Sequence, residues 1–366
     1  MKRVLQIMDS LDMGGIQTFI MCVYRNIDKS KVQFDFLVFR SHHQVFEDEI
    51  KKLGGKIYKI PGRREGVLKH KKAMRLFFDE HPEYKMIHYH TSSLSDIDIL
   101  SVGKKKNIPI RIIHSHNTKS SGSKIHIFMH KLHKRKIKDI ATHYFACGKE
   151  AAEWMFGETS AINDVAIVNN GIDSNTYKFN ESIRNKMRNE FKIGNDITVY
   201  GNVGRFSPVK NHTFIIKIFN EIHKIDPDTM LMLVGDGDTR QEIESMVKKL
   251  GISDSVVFLG VRQDISNILQ AMDVFLLPSI YEGFPVSIIE AQSSGLTCFI
   301  SDSVTKDSLL HPNAFMLSLS ENAEYWASEI LKAKPYNRYE DISDIQTSGF
   351  DICTTINILN KIYLKG

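Results

Sequence analysis

Short apolar runs alternate with amphipathic stretches of helix length, and the alternation runs through the chain twice. That feature restricts the fold most, because it is the pattern of a parallel sheet wrapped by helices. The first series places strands at residues 3–8, 34–38, 56–60, 86–89, 111–115, 144–147 and 166–168, with helices notably at 17–27, 47–53, 68–80 and 125–140. The run Asn169-Asn170-Gly171-Ile172-Asp173 is turn chemistry and closes it. The second series places strands at 198–203, 230–234, 256–259, 274–277 and 297–301, with helices near 212–223, 239–250, 265–271 and 286–294. A last stretch, 352–364, is apolar at helical spacing through Ile356, Leu359, Ile362 and Tyr363. The spacing predicts two doubly wound α/β domains in tandem, hinged near residues 171–195.

Length agrees, since 366 residues exceed what one hydrophobic core usually supports. No window approaches the ~20 uncharged apolar residues needed to cross a bilayer. The opening apolar run follows Lys2 and Arg3 and meets Asp9 at once, too short for a signal peptide, so a cytoplasmic location is expected. Cys22, Cys147, Cys298 and Cys353 are widely spaced and read as buried reduced thiols. Charge is unevenly spread. Residues 1–170 carry 29 Lys+Arg against 18 Asp+Glu, a balance of +11, whereas 171–366 carry 19 against 25, a balance of −6. A basic first half is suited to an anionic partner: a phosphorylated substrate, nucleic acid or the inner leaflet of a membrane.

Open α/β sheets bind ligands at the carboxyl ends of their strands, so the loops there carry the chemistry. After the first strand, Gly14 and Gly15 permit close approach of backbone to a ligand, and the helix beyond offers N–H groups to phosphate; a plain turn explains the pair equally well. After the strand at 198–203, Gly204 allows a tight turn while Arg205 and Lys210 place two cations over one loop, suited to charge developing on a departing diphosphate or else simply two solvated surface charges. Gly235 and Gly237 follow the next strand and suit either a nucleotide or a turn. Pro285 suits the first turn of a helix, which places Glu282 in the preceding loop and Glu290 on the helix. Along a continuous helix the two acids would lie ~12 Å apart, the span from a nucleotide's ribose to its sugar. Carboxylates grip polyols because each accepts two hydroxyl hydrogen bonds. His116, at the end of the strand at 111–115, is the histidine placed to bond a substrate or act as acid or base.

Taken together, Gly14-Gly15, Gly204-Arg205 with Lys210, Asn170-Gly171-Ile172-Asp173, and Glu282-Gly283-Phe284-Pro285 with Glu290 resemble family 4 of the retaining glycosyltransferases, in its bacterial exopolysaccharide and capsule branch. The resemblance spans most of the chain and is strongest from 166 to 303. It implies a GT-B fold: two Rossmann-like domains facing an interdomain cleft, with domains at 1–170 and 171–348 and a final helix, 349–366, returning to the first domain. It implies a nucleotide-diphosphate sugar donor, UDP preferred, and no metal or other cofactor. Arg205 and Lys210 would hold the donor diphosphate, Glu290 the ribose, and Glu282 the transferred sugar beside the backbone of Gly283 and Phe284. Gly15 would close on the diphosphate, His116 would lie near the sugar, and backbone at Val261 and Arg262 would meet the base. Two positions depart from the family: Gln17 stands where members often carry an acid, and a stretch from Asp307 to Asn313 replaces a glycine-rich one.

The family further implies a saccharide or polyprenyl-diphosphate-linked saccharide acceptor. The basic amphipathic stretch 124–138, with Arg63, Arg64, Lys69–Lys72 and Lys104–Lys106, would then rest on anionic lipid, the alternative being a solvated face with ordinary core contacts. Two rival readings use the same residues: a GT-B nucleotide-sugar epimerase, and a non-catalytic nucleotide- or polyanion-binding protein. No recognised nucleic-acid motif is present, and the best motifs lie in the acidic half, which argues against a nucleic-acid partner.

Overall fold

The structure is a computed structural model that describes residues 1–12, 14–117, 123–157, 165–282 and 285–365. The chain forms two compact units, Met1–Gly171 with Ile352–Gly366, and Ile172–Asp351.

In the first unit, β1 (Lys2–Met8), β2 (Val32–Val38), β3 (Ile57–Lys59), β4 (Met86–Thr91), β5 (Ile110–Ser115), β6 (His143–Ala146) and β7 (Val165–Ile167) form one parallel sheet in the order β3-β2-β1-β4-β5-β6-β7. Every residue of β2 is buried, including Asp35, whose carboxylate accepts hydrogen bonds from Arg3 and from the Tyr84 hydroxyl at 2.7 Å. A charge at such depth persists only when its lone pairs are taken up. The final helix, Ile352–Tyr363, packs against the helix Gly15–Asn26, and its Ile352, Leu359 and Tyr363 share a core with Val4, Met86 and Ile112.

In the second unit, β8 (Thr198–Val203), β9 (Thr229–Val234), β10 (Val256–Gly260), β11 (Val274–Leu277), β12 (Thr297–Ser301) and β13 (Ala314–Leu317) are again all parallel, in the order β10-β9-β8-β11-β12-β13. Both sheets therefore reverse their strand order once, between β1 and β4 and between β8 and β11, and ligand crevices form at such switch points.

Several expectations change in detail. The unit boundary falls between Gly171 and Ile172, and the stretch read as a hinge instead carries the helices Ser174–Tyr177 and Glu181–Glu190 of the second unit. The helix expected over 125–140 stops at Lys134 and gives way to a 3₁₀ turn, Ile137–Asp139, which drops Ile137 fully into the core. Strand β13 was not legible because it lies at the sheet edge and is only half-buried, so its apolar pattern is weak. Of the cysteines, Cys147 and Cys298 are buried and Cys22 is half-buried, but Cys353 is exposed on the outer side of the final helix.

Candidate active site

At the switch point of the second unit, β8 and β11 lie side by side while their connections leave toward opposite halves of the sheet. The loop after β8 makes a single 3₁₀ turn, Pro208–Lys210, and ends at Asn211 in the left-handed conformation. Two bonds tie it to the loop after β11: the Ile280 N–H donates to the Val209 carbonyl at 2.8 Å, and the Asn211 amide to the Pro278 carbonyl at 3.1 Å. Held in this way, the Lys210 ammonium meets a Glu282 oxygen at 2.6 Å, with both side chains mostly shielded from water. The same Glu282 oxygen accepts a hydrogen bond from Ser279 at 2.9 Å.

Glu290 projects from the helix Val286–Ser293, where the Tyr177 hydroxyl donates to it at 2.7 Å. Burial raises its carboxyl pKa, and the Tyr177 bond and the charge of Lys210 act in the opposite direction. Lys210 thus stands within electrostatic reach of both acids. Pro285 caps this helix instead of lying in its first turn; Gly283 and Phe284 lie outside the described residues.

Arg205 is not part of that group. Its guanidinium is exposed and pairs with Asp238 at 3.2 Å. Gly204 lies against the Lys210 stem, where an added Cβ would come 3.3 Å from its Cε. Val261 is exposed after β10, and Arg262 makes a two-pronged pair with Asp264 at 2.8 and 2.7 Å. The glycines after β9 resolve as close approaches between loops. Gly235 and Gly237 have φ of +131° and +157°, and a Cβ on them would come 2.1 Å from the Gly204 carbonyl oxygen and 2.3 Å from that of Phe206. Tyr177 and Ser279, the partners of the two acids, were missed by sequence reasoning. Only Ser279, just beyond β11, carried a positional signal.

In the first unit, Gly14 and Gly15 stand at the start of the helix Gly15–Asn26, and a Cβ on Gly15 would meet nothing within 4 Å. Gln17, in place of the family's acid, donates from its amide to the Ser10 carbonyl at 2.9 Å, a bond an ionised carboxylate could not make. His116 follows β5 and joins three buried histidines. Its Nε2 is 2.9 Å from His90 Nδ1, and its ring lies 4.0 Å from that of His114. Burial holds His88, His90 and His114 well below the usual imidazole range; it takes His116 to about 3, with Asn170 pulling the other way. All four are therefore neutral near pH 7, and His116 is suited to hydrogen bonding rather than to carrying charge. His88, His90 and His114 offer ring nitrogens within 4.8 Å of one another, but both nitrogens of His90 are already bonded, so a cation there would displace one of those bonds. A cavity of about 570 Å³ opens at the carboxyl ends of β1, β2 and β4, with Met8, Ile16 and Phe39 as apolar lining and Arg40, Arg63 and Arg64 as cations.

Residues 183–333 match the family described as glycosyl transferases group 1. Over 371 aligned residues the chain is 33% identical to EpsF of Bacillus subtilis (strain 168), whose name marks it as a provisional glycosyltransferase, covering 99% of this chain and 96% of that one. A shorter alignment, 33% identical over 148 residues, relates 38% of this chain to 36% of an Escherichia coli UDP-Gal:alpha-D-GlcNAc-diphosphoundecaprenol alpha-1,3-galactosyltransferase. Anabaena HepE, crystallised with UDP and glucose, superposes with a TM-score of 0.74 at 20% identity over 99% of both chains; the shared fold is GT-B.

The glycine geometry is testable by stability. Gly235→Ala forces a methyl onto a carbonyl oxygen at a positive φ and should lower unfolding free energy by about 2 kcal/mol or more. Gly15→Ala, with open space around it, should leave the urea midpoint unchanged or raise it. Equal midpoints for both variants would show that Gly235 is not held in this conformation.

Proposed function

The chain belongs to the group 1 glycosyltransferases, and from that premise we propose that it moves a hexosyl unit from a UDP-sugar to a saccharide or polyprenyl-diphosphate-linked saccharide, with retention at the anomeric carbon and without a metal. The step would belong to the building of cell-surface polysaccharide, and the acceptor class named for the Escherichia coli relative supports it.

The observation that carries the reading is Lys210 paired with Glu282 at the switch point, with Glu290 within reach of its charge. As the glycosidic bond breaks, negative charge builds on the departing diphosphate. A fixed ammonium in a partly dry site stabilises that charge without reorganising. Lys210 exchanges Glu282 for the diphosphate, which frees the carboxylate to accept hydroxyls of the transferred sugar. Arg205, held among the described residues by an exposed pair with Asp238, swings to the same phosphates at little cost. Amides at the start of the helix Val286–Ser293 add to the anion site. Glu290, oriented by Tyr177, accepts the ribose hydroxyls, and backbone at Val261 and Arg262 meets the base. In the first unit, a Cβ on Gly15 would meet nothing within 4 Å, which leaves the backbone there open to a ligand; His116 Nε2 is paired with His90 and its Nδ1 is enclosed, so the ring must part from a neighbour before it bonds a sugar hydroxyl.

Lys210→Ala should lower kcat by about 10²–10³-fold while the fold persists, by analogy with loss of one preorganised charge-stabilising donor. Glu290 should show itself in binding. Its raised pKa means that it takes up a proton at a pH where an ordinary carboxylate stays ionised, so UDP affinity should weaken as pH falls through that value. In Glu290→Gln, affinity should be lower and this pH dependence gone. Titration calorimetry and assays with UDP-sugars check both. Release of UDP with free sugar in the absence of acceptor supports transfer; an epimerised but intact donor would sink it.

Membrane contact is proposed on the surface of the first unit. The helix Lys124–Lys134 exposes Ile125 (75%), Phe128 (64%) and Leu132 (40%) on one face, flanked by Lys124, Lys131 and Lys134. No helix among the described residues is long and apolar enough to cross a membrane, so the contact would be interfacial. The protein should sediment with phosphatidylglycerol vesicles at low salt and be released by high salt, and Phe128→Glu should weaken sedimentation at every salt concentration. Binding that ignores salt would count against the proposal.

A further inference from the structure

Four exposed apolar residues of the first unit collect at the carboxyl end of its sheet. Val67 and Leu68, the latter 84% exposed, open the helix Val67–Glu80, and Ile125 and Phe128 lie in the opening turns of the helix Lys124–Lys134. These helices follow β3 and β5, and in a parallel sheet a helix that leads back to the next strand starts at the carboxyl end. Side-chain contacts agree with that placement. His126 Nε2 is 2.8 Å from Ser93 Oγ, and His70 Nε2 is 3.7 Å from Asp96, so both opening turns sit against one short loop after β4. Both helices also lie on one face of the sheet. Met74, Phe77 and Phe78 of the first share a core with Met155 of the helix Lys149–Phe156, and His130 of the second stacks at 4.3 Å on Trp154 of that same helix.

Charge at these turns runs against the helix dipole. The N-terminus of a helix is its positive end, where acids stabilise and cations cost. Neither helix has an acid in its first turn, and each carries a lysine there, Lys69 in one and Lys124 in the other. Lys69 and Lys71 are matched by Glu65 and Asp98, whereas Arg64 and Lys72 join no ion pair among the described residues. Gly66 precedes the first helix and gives its opening amides no side-chain cap. Exposed leucine and valine beside uncompensated cations and uncapped amides are complementary to an apolar layer under an anionic one. A polyanion with no apolar layer would leave Leu68 in water.

We infer that the opening turn of the helix Val67–Glu80 is a second point of insertion into an anionic bilayer, acting beside the helix Lys124–Lys134. The inference rests on the membrane contact proposed for the latter helix. Leu68 enters the acyl boundary while Arg64 and Lys72 meet lipid phosphates. The consequence is positional. The cavity of the first unit is lined by Gly62, Arg63, Arg64, Glu65 and His70 from in and around that turn, and by Asp96 of the loop that both turns touch. Insertion at both points holds the rim of the cavity at the lipid headgroups, where an acceptor carried on a lipid presents its polar end.

The experiment is sedimentation of the full chain with phosphatidylglycerol vesicles at low salt, with amide hydrogen exchange measured on the bound protein. Leu68→Gln removes apolar area without adding charge and should lower the partition coefficient about tenfold. Leu76→Gln makes the same change at another exposed leucine, about 12 Å further along the helix, and should leave partition unchanged. Arg64→Gln combined with Lys72→Gln should make release by salt less steep. The amides of Val67, Leu68 and Lys69 should exchange more slowly on vesicles than in solution. UDP affinity of Leu68→Gln should equal that of the native chain, because Lys210 and Glu290 belong to the second unit. If Phe128→Glu weakens binding and Leu68→Gln does not, the second insertion point is overturned and the first stands. An equal loss in Leu76→Gln, or no slowing at residues 67–69, overturns it as well. A native chain that ignores the vesicles overturns both contacts together.

Discussion

Two hydrogen bonds between the loops after β8 and β11 hold together the polar group at the second unit's switch point. The Ile280 N–H on the Val209 carbonyl and the Asn211 amide on the Pro278 carbonyl close the crevice that the reversed strand order opens. Without them, Lys210 would be a cation on a four-carbon stem, and most such cations are solvated surface charges. With them, it is fixed 2.6 Å from Glu282 and within reach of Glu290. The pair is partly desolvated, so its attraction is stronger than at an open surface and each partner is expensive to leave alone. A diphosphate that takes the ammonium must therefore be matched by hydroxyls that take the carboxylate, which favours a ligand carrying both groups over a bare phosphate.

The two units use polarity in opposite ways. The second keeps fixed charge at its switch point and neutralises it internally through the pair of Lys210 and Glu282. The first buries four imidazoles so deeply that none is charged near neutral pH, and relies on the direction of hydrogen bonds instead. Among its basic residues, Arg40, Arg63 and Arg64 line the same cavity as His90, and Lys124, Lys131 and Lys134 lie on the helix Lys124–Lys134. The final helix completes that layer by inserting Tyr363, which makes the chain's end part of the first unit's polar core as well as of its packing.

Much of the candidate site in the second unit was legible because its signals are local. Glycine after a strand, two cations on one loop, and acids flanking Pro285 are chemical types at sheet positions that periodicity alone locates. What failed to show in the sequence was non-local. Gly235 and Gly237 read as turn or nucleotide-binding glycines, yet the carbonyl oxygens of Gly204 and Phe206, contributed by another strand's loop, are what forbid a side chain there. Tyr177 is 113 positions from Glu290, and nothing in its neighbourhood marks it as the acid's partner. Arg205 and Lys210 looked equivalent as cations in one loop, but only one of them turns toward the acids.

The sequence by itself determined the two parallel α/β series apart from β13, and which loops carry polar chemistry, because hydrophobic period and turn residues are properties of neighbours along the chain. Tertiary structure alone decided that the expected hinge folds as helices of the second unit, that a helix ends at Lys134 so that Ile137 is buried, and that Tyr363 meets His88. Each of those outcomes is set by burial against residues distant in sequence, where the free energy of packing and of satisfying buried polar groups outweighs local preference.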